Sequence, residues 1–241
     1  MFDYSIRTPE FGSFEKELEF ADELRINNIE TSDVFFGKRL CALDGEETEK
    51  LRDLLIDFGK KIVLLECSLP LSDEEGWKMT FRKALTLNVK GIGIVLGEKD
   101  DPSFVCFLSK TYSIPLYIKN TAGSFVEDEN KMKELTDAHP ELRLIFDPYE
   151  FVCKERHPFF HAYYASKIKD RIDFLRINDG LYGTHERVML HSGCCEIKEL
   201  ASIMLSRSYK GYFSFTPYLD KNDLDTYKET IKIFKNELKN M

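Results

Sequence analysis

The stretch LRLIFDPYEF, residues 142–151, runs apolar through Leu142, Leu144, Ile145 and Phe146 and then stops at Asp147 and Pro148. An apolar run this short, closed by turn residues, reads as a parallel strand buried on both faces. The same form recurs on either side of it. IPLYIKN (114–120) precedes it, and IDFLRIN (172–178) and GYFSFT (211–216) follow it. Nearer the start, FDYSIR (2–7), NNIETS (27–32), KIVLLEC (61–67) and KGIGIVLG (90–97) complete a set of eight.

Amphipathic stretches fill the intervals. From Phe14 to Leu24, the residues Phe14, Leu18, Ala21 and Leu24 share one helical face, while Glu15, Lys16, Glu19, Asp22 and Glu23 share the other. Similar stripes cover 46–58, 73–87, 102–110, 130–138, 159–168, 197–205 and 224–238. Strand-then-helix units recurring about every 30 residues, joined by short polar connectors, predict a single (β/α)8 TIM barrel, an α/β fold, with residues 1–241 as one domain. An open doubly wound sheet is the rival. It would place a phosphate-binding glycine turn after a strand, whereas Gly91, Gly93 and Gly97 have another spacing and lie inside the fourth strand.

Composition removes several functions. The chain has 241 residues, 43% of them hydrophobic, with 34 basic against 42 acidic side chains and a net charge of −8. That balance repels phosphate backbones, so nucleic acid is not an expected partner. Six cysteines form no CxxC pair, and MFDYSIRTPE lacks the basic and apolar regions of a signal peptide. No apolar run approaches the roughly 20 residues that cross a bilayer. The expectation is a soluble cytoplasmic protein with no membrane partner. Its oligomeric state is left open.

In a barrel of this kind the chemistry sits at the C-terminal strand ends. These offer Arg7 and Thr8, Glu30 and Asp33, Glu66 and Cys67, Glu98, Lys119 and Asn120, Asp147 and Glu150, Arg176, Asn178 and Asp179, and Thr216. Buried charges need partners, so Lys119 and Arg176 are expected to pair with Asp147 and Glu30.

In the order and spacing of several phrases the chain resembles the xylose isomerase-like superfamily of barrels, which holds sugar and sugar-phosphate isomerases and epimerases and the endonuclease IV group. The phrases are NNIET ending near Glu30, LNVKGIGIVLG, the Asn of IKNTAG, the Asp of IFDPYEF, the Asp of RINDG, His185 and Gly193 in the following loop, and SYKGYFSF. The resemblance implies a metal held by Glu, Asp, His and Glu at the ends of strands five to eight, the two glutamates doubling as acid and base beside a carbonyl. Those positions here are Lys119, Asp147, Arg176 and Thr216. Only Asp147 matches. The expectation is therefore no resident cofactor, with fixed positive charge from Lys119 and Arg176 taking the cation's place on an anionic group or enediolate. A divalent metal, if held, would use a displaced set of Asp147, Glu150 and His185.

The implied activity is that of a sugar or sugar-phosphate isomerase or epimerase acting on, or binding, a small polyhydroxylated carbonyl compound or a related anion. Lys119, Asp147 and Arg176 are the catalytic candidates. Glu30, Glu66, Asn120, Glu150, His157, Asp179, His185 and Thr216 are the substrate-binding candidates. The alternatives are a non-catalytic descendant binding a ligand or partner protein and, behind it, a DNA-repair nuclease of the endonuclease IV type, which needs more histidines than the five present. Strong burial could depress the Lys119 pKa and make it a Schiff-base nucleophile. In CKERHPFFH, Lys154, Arg156 and His157 either grip an anion or form a solvated loop, and the pair His157 and His161 reads as structural. Cys194 and Cys195 read as packing residues.

Overall fold

A computed structural model describes residues 2–9, 11–121, 124, 126–127, 129–158, 168–219 and 223–240. Eight parallel strands appear: β1 (Asp3–Arg7), β2 (Asn28–Ser32), β3 (Lys61–Glu66), β4 (Ile92–Gly93), β5 (Leu116–Lys119), β6 (Leu142–Phe146), β7 (Ile172–Ile177) and β8 (Tyr212–Phe215). Each neighbours the next in sequence, and β8 neighbours β1, so the strands close into a barrel. The expected α/β barrel is the observed fold.

The helices are α1 (Phe14–Glu23), α2 (Gly45–Asp57), α3 (Glu74–Thr86), α4 (Ser103–Tyr112), α5 (Glu129–Ala138), α6 (Pro148–Val152), α7 (Ile197–Ser206) and α8 (Leu224–Leu238). Their starts are written in the sequence. Asp44 caps α2 in a full capping box with Glu47, and the side chains of Ser13, Asp73, Asp147 and Asp223 each accept a backbone N–H from the first turn of their helices. The helix expected over 159–168, and His161 with it, lies outside the described residues save for Ile168. No helix among the described residues is long and apolar enough to cross a membrane.

The fourth strand is shorter than its eight-residue apolar run. Its two strand residues pair with Leu65–Glu66 of β3 and Leu116–Tyr117 of β5. Gly91 makes room for the Tyr117 ring, which a Cβ would meet at 2.3 Å. Two short ribbons lie outside the barrel, Val34–Phe35 with Lys38–Arg39 and Asp179–Gly180 with Arg187–Val188.

The chain divides into two compact units. One comprises residues 1–4, 119–138 and 144–241 and includes the C-terminal ends of β5 and β6, then β7 and β8. Its core joins Phe213 and Phe215 to Phe234 of α8, with ring centroids 5.0 and 5.8 Å apart. The other comprises residues 5–118 and 139–143. There Trp77 and Phe81 of α3 are fully buried, and the indole N–H donates to the Pro70 carbonyl at 3.0 Å.

Candidate functional site at the ends of strands five to eight

The strand ends of the first unit converge on Asp147. It is fully buried and follows the last residue of β6. Asn120, one residue beyond β5, clasps its backbone from both sides: the Asn120 amide donates to the Asp147 carbonyl, and the Asp147 N–H donates to Asn120 Oδ1, both at 2.8 Å. The side chain is held too. Oδ1 accepts the Tyr149 N–H at 3.2 Å, capping α6, and the Asn178 amide at 3.0 Å. Oδ2 is buried with no hydrogen-bond partner among the described residues, and the Lys119 ammonium stands 3.7 Å away.

Lys119 also reaches Glu150, at 3.1 Å. Burial works to lower its pKa, but the charges of Asp147 and then Glu150 outweigh it, and the value lies above the ordinary 10.5. This direction opposes the depressed pKa that a Schiff-base nucleophile needs, so Lys119 is a fixed cation in this site. A raised folded-state pKa stabilises the fold fully below the ordinary value, and that contribution disappears as pH climbs through the folded one. The stability difference between wild type and Lys119→Met in urea unfolding is therefore expected to stay level between about pH 7 and 9 and to change only above about 10.5. A change centred near neutrality would contradict the assignment.

Arg176 is buried, and its Nη1 donates to Ser214 Oγ at 2.6 Å. The two residues are register partners on β7 and β8, which explains a serine inside the apolar run of β8. Asn178 completes the group. Its amide also lies 3.5 Å from the Thr216 hydroxyl, and its Oδ1 is buried without a hydrogen-bond partner among the described residues. The group thus offers two buried oxygens seeking donors, one of them, Asp147 Oδ2, beside a charged ammonium.

A divalent cation in the implied position does not fit these residues. Two of the four positions carry fixed positive charge, and a metal on the spare oxygen of Asp147 would be repelled by the Lys119 ammonium, which stands 3.7 Å from that oxygen. The displaced set does not form either. Among the described residues Asp147, Glu150 and His185 do not bring ligand atoms together, because His185 sits exposed on the loop after β7.

Other expected site residues have other work. Asp179 is the clearest correction. Its Oδ1 accepts the N–H groups of Gly180 and Cys195, both at 2.9 Å, and its Oδ2 those of His191 at 2.9 Å and Gly193 at 3.0 Å. With both oxygens engaged twice, it fastens the 180–195 loop and has no capacity left for a ligand. His157 is mostly exposed, with Nδ1 3.3 Å from Glu196. Lys154 faces Glu127 at 3.9 Å and Arg156 pairs with Glu129, which answers the anion-gripping reading of that loop. Burial pushes the Cys195 thiol pKa well up, as befits a packing residue.

In the second unit, Glu30 is fully buried and accepts the Ser5 hydroxyl at 2.6 Å. Glu66 accepts from Arg7 Nε at 2.9 Å and borders a cavity of about 660 Å³ with Ser13, Glu17 and Asp33.

The sequence reading missed Arg187. Its guanidinium lies 3.5 Å over the Tyr149 ring and 5.0 Å from that of Tyr218, a stacked arrangement that holds it in place. Its Nη1 is buried with no hydrogen-bond partner among the described residues. Together with His185, Met189, Tyr218, Asp225 and Thr226 it lines a cavity of about 910 Å³.

A family model described as xylose isomerase-like TIM barrel matches residues 103–237. No curated protein matches the chain. Among solved structures, it is similar to the probable 3-DHS dehydratase AsbF of Bacillus anthracis, with a TM-score of 0.77, 15% identity and coverage of 98% of this chain and 99% of that one. A xylose isomerase-like TIM barrel protein from Mycobacterium smegmatis in complex with magnesium gives 0.75, 17%, 98% and 96% in the same order. A sugar phosphate isomerase/epimerase from Parabacteroides distasonis gives 0.68, 13%, 97% and 93%. At such identities the likeness is one of fold.

Proposed function

The chain belongs to the xylose isomerase-like TIM barrel family, and on that premise we propose that it is a sugar isomerase- or epimerase-like protein whose site works without a metal. The ligand is a small polyhydroxylated carbonyl compound. One observation carries the reading: Asp147 Oδ2, 3.7 Å from the Lys119 ammonium, and Oδ1 of Asn178, whose amide is hydrogen-bonded to Asp147, are both buried with no hydrogen-bond partner among the described residues. Unsatisfied buried acceptors cost about 1–3 kcal/mol each, a cost that ligand hydroxyls donating to them would remove. The Lys119 ammonium donates to the carbonyl oxygen and stabilises negative charge that develops there.

In the catalytic form of this reading, the Glu150 carboxylate takes the proton from the hydroxyl-bearing carbon beside the carbonyl and returns it to the former carbonyl carbon, while the hydroxyl proton of the first carbon is lost to solvent, the former carbonyl oxygen gains one from solvent, and the enediolate oxygen rests against Lys119. Asn120 and Arg176 hold position: the first fixes the Asp147 backbone, and the second is tied to Ser214 of β8. Arg187, with its unpartnered Nη1, supplies an anchor for a phosphate or carboxylate at the far end of the ligand. Lys119 and Thr216 stand where the family's two glutamates are expected, and this favours a second reading in which the ligand binds without turnover.

The test is isothermal titration with xylulose, fructose and fructose 6-phosphate in the presence of chelator, followed by an isomerisation assay. Binding to at least one sugar is expected, weakened about tenfold or more in Lys119→Met, as the loss of a charged hydrogen bond predicts. Binding without isomerisation selects the second reading. Absence of binding across the set, or full affinity in Lys119→Met, would overturn both.

A further inference from the structure

A second group of side chains lies within the unit of residues 5–118 and 139–143 and shares no residue with the site above. Cys106 is on α4, His139 directly follows α5, and Glu141 directly precedes β6. One ligand atom from each lies within 4.8 Å of the other two. We propose that Cys106, His139 and Glu141 bind a zinc-class divalent cation through Sγ, an imidazole nitrogen and Oε2.

Two independent features support the site. The first is the Glu141 carboxylate, whose side chain is 9% exposed. Its Oε1 is ion-paired with Lys110, while its Oε2 is buried with no hydrogen-bond partner among the described residues. A buried carboxylate oxygen left open in this way is costly, and a cation on it removes the cost. The second is the donor set. Sulfur, imidazole nitrogen and one carboxylate oxygen suit zinc or cobalt, and the soft sulfur argues against magnesium or calcium.

The distances allow it. Bonds of about 2.0–2.3 Å to a tetrahedral zinc put ligand atoms about 3.3–3.7 Å apart, so the three groups close in by about 1 Å. His139 is half-buried, which leaves a route for the ion and room for water in the fourth position. Binding is a simple exchange in which the Cys106 S–H bond breaks, a sulfur–metal bond forms and the proton leaves to solvent. Burial, and after it the negative charge of Glu141, pushes the thiol up to about 12, so in the metal-free protein Cys106 stays protonated and unreactive.

The occupied site would fasten α4 to the turn between α5 and β6. Cobalt(II) titration of metal-free, full-length protein tests this. One equivalent should produce thiolate-to-cobalt charge-transfer absorption in the near ultraviolet, reversed by zinc. The band should vanish in Cys106→Ser and persist in Asp147→Asn. Glu141→Gln, close in shape to the wild-type side chain, should weaken cobalt binding about tenfold or more and supplies the answer if the serine variant does not fold. No thiolate band, a band that survives in Cys106→Ser, or unchanged affinity in Glu141→Gln would overturn the assignment.

Discussion

Asp179→Ala is expected to lower unfolding free energy by about 3–5 kcal/mol, because four backbone N–H groups lose their acceptor together, two of them buried and each of those costing about 1–3 kcal/mol when left unmet. Asp179 is 4% exposed and its carboxylate accepts the amides of Gly180, His191, Gly193 and Cys195, so it pins both ends of a loop of irregular backbone. Gly193 belongs to the same device: a Cβ there would meet Asp179 Oδ1 at 2.4 Å. Amide hydrogen exchange should show His191, Gly193 and Cys195 losing protection selectively in the variant, while the β6 and β8 amides keep theirs up to the new global limit. Unchanged protection at those three amides would contradict the assignment. The loop also carries His185 and Arg187, so its release should weaken any ligand held by the 910 Å³ cavity.

Asp147→Ala comes next in size. The substitution removes the cap of α6, worth about 0.5–2 kcal/mol, and leaves the Asn178 amide without its 3.0 Å acceptor, worth about 1–3 kcal/mol. A loss of about 2–4 kcal/mol is expected in urea unfolding, since Glu150 still pairs with Lys119 at 3.1 Å and limits the damage. Asp147→Asn separates the two roles of this residue. Its side-chain oxygen can still cap the helix, so stability should recover by more than half, whereas ligand binding should not, because the carboxylate charge opposite Lys119 is gone. Equal ligand affinity in Asp147→Asn and wild type would remove Asp147 from the site.

Legibility in the sequence followed the range of the interactions. Short apolar runs and amphipathic intervals are local signals, and the barrel could be read from them. Strand four shows the limit: KGIGIVLG looks like eight residues of strand, yet the pairing geometry leaves two in the ladder. The pairing of Lys119 with Asp147 was legible because opposite charges closed consecutive strands. The Ser214 hydroxyl on Arg176 had a signal too, a small polar residue inside an apolar strand at a register position that only the sheet reveals.

Asp179 was misread for the opposite reason. The phrase RINDG marks a strand end, but nothing in its spacing says that His191 and Gly193 fold back onto the carboxylate. Arg187 lies on the same aperiodic loop, and its two tyrosines come from after β6 and after β8. Cys106, His139 and Glu141 have no motif spacing, so only the packing of α4 against the turn before β6 brings them together.

The central claim is that the Lys119 ammonium occupies the place of a divalent cation beside Asp147. Anomalous diffraction from crystals grown without chelator and soaked in manganese addresses it most directly. The account predicts no manganese peak at bonding distance from the Asp147 carboxylate, with Lys119 Nζ remaining between Asp147 and Glu150. A manganese ion bound to Asp147 and Glu150, with Lys119 swung away, would contradict it.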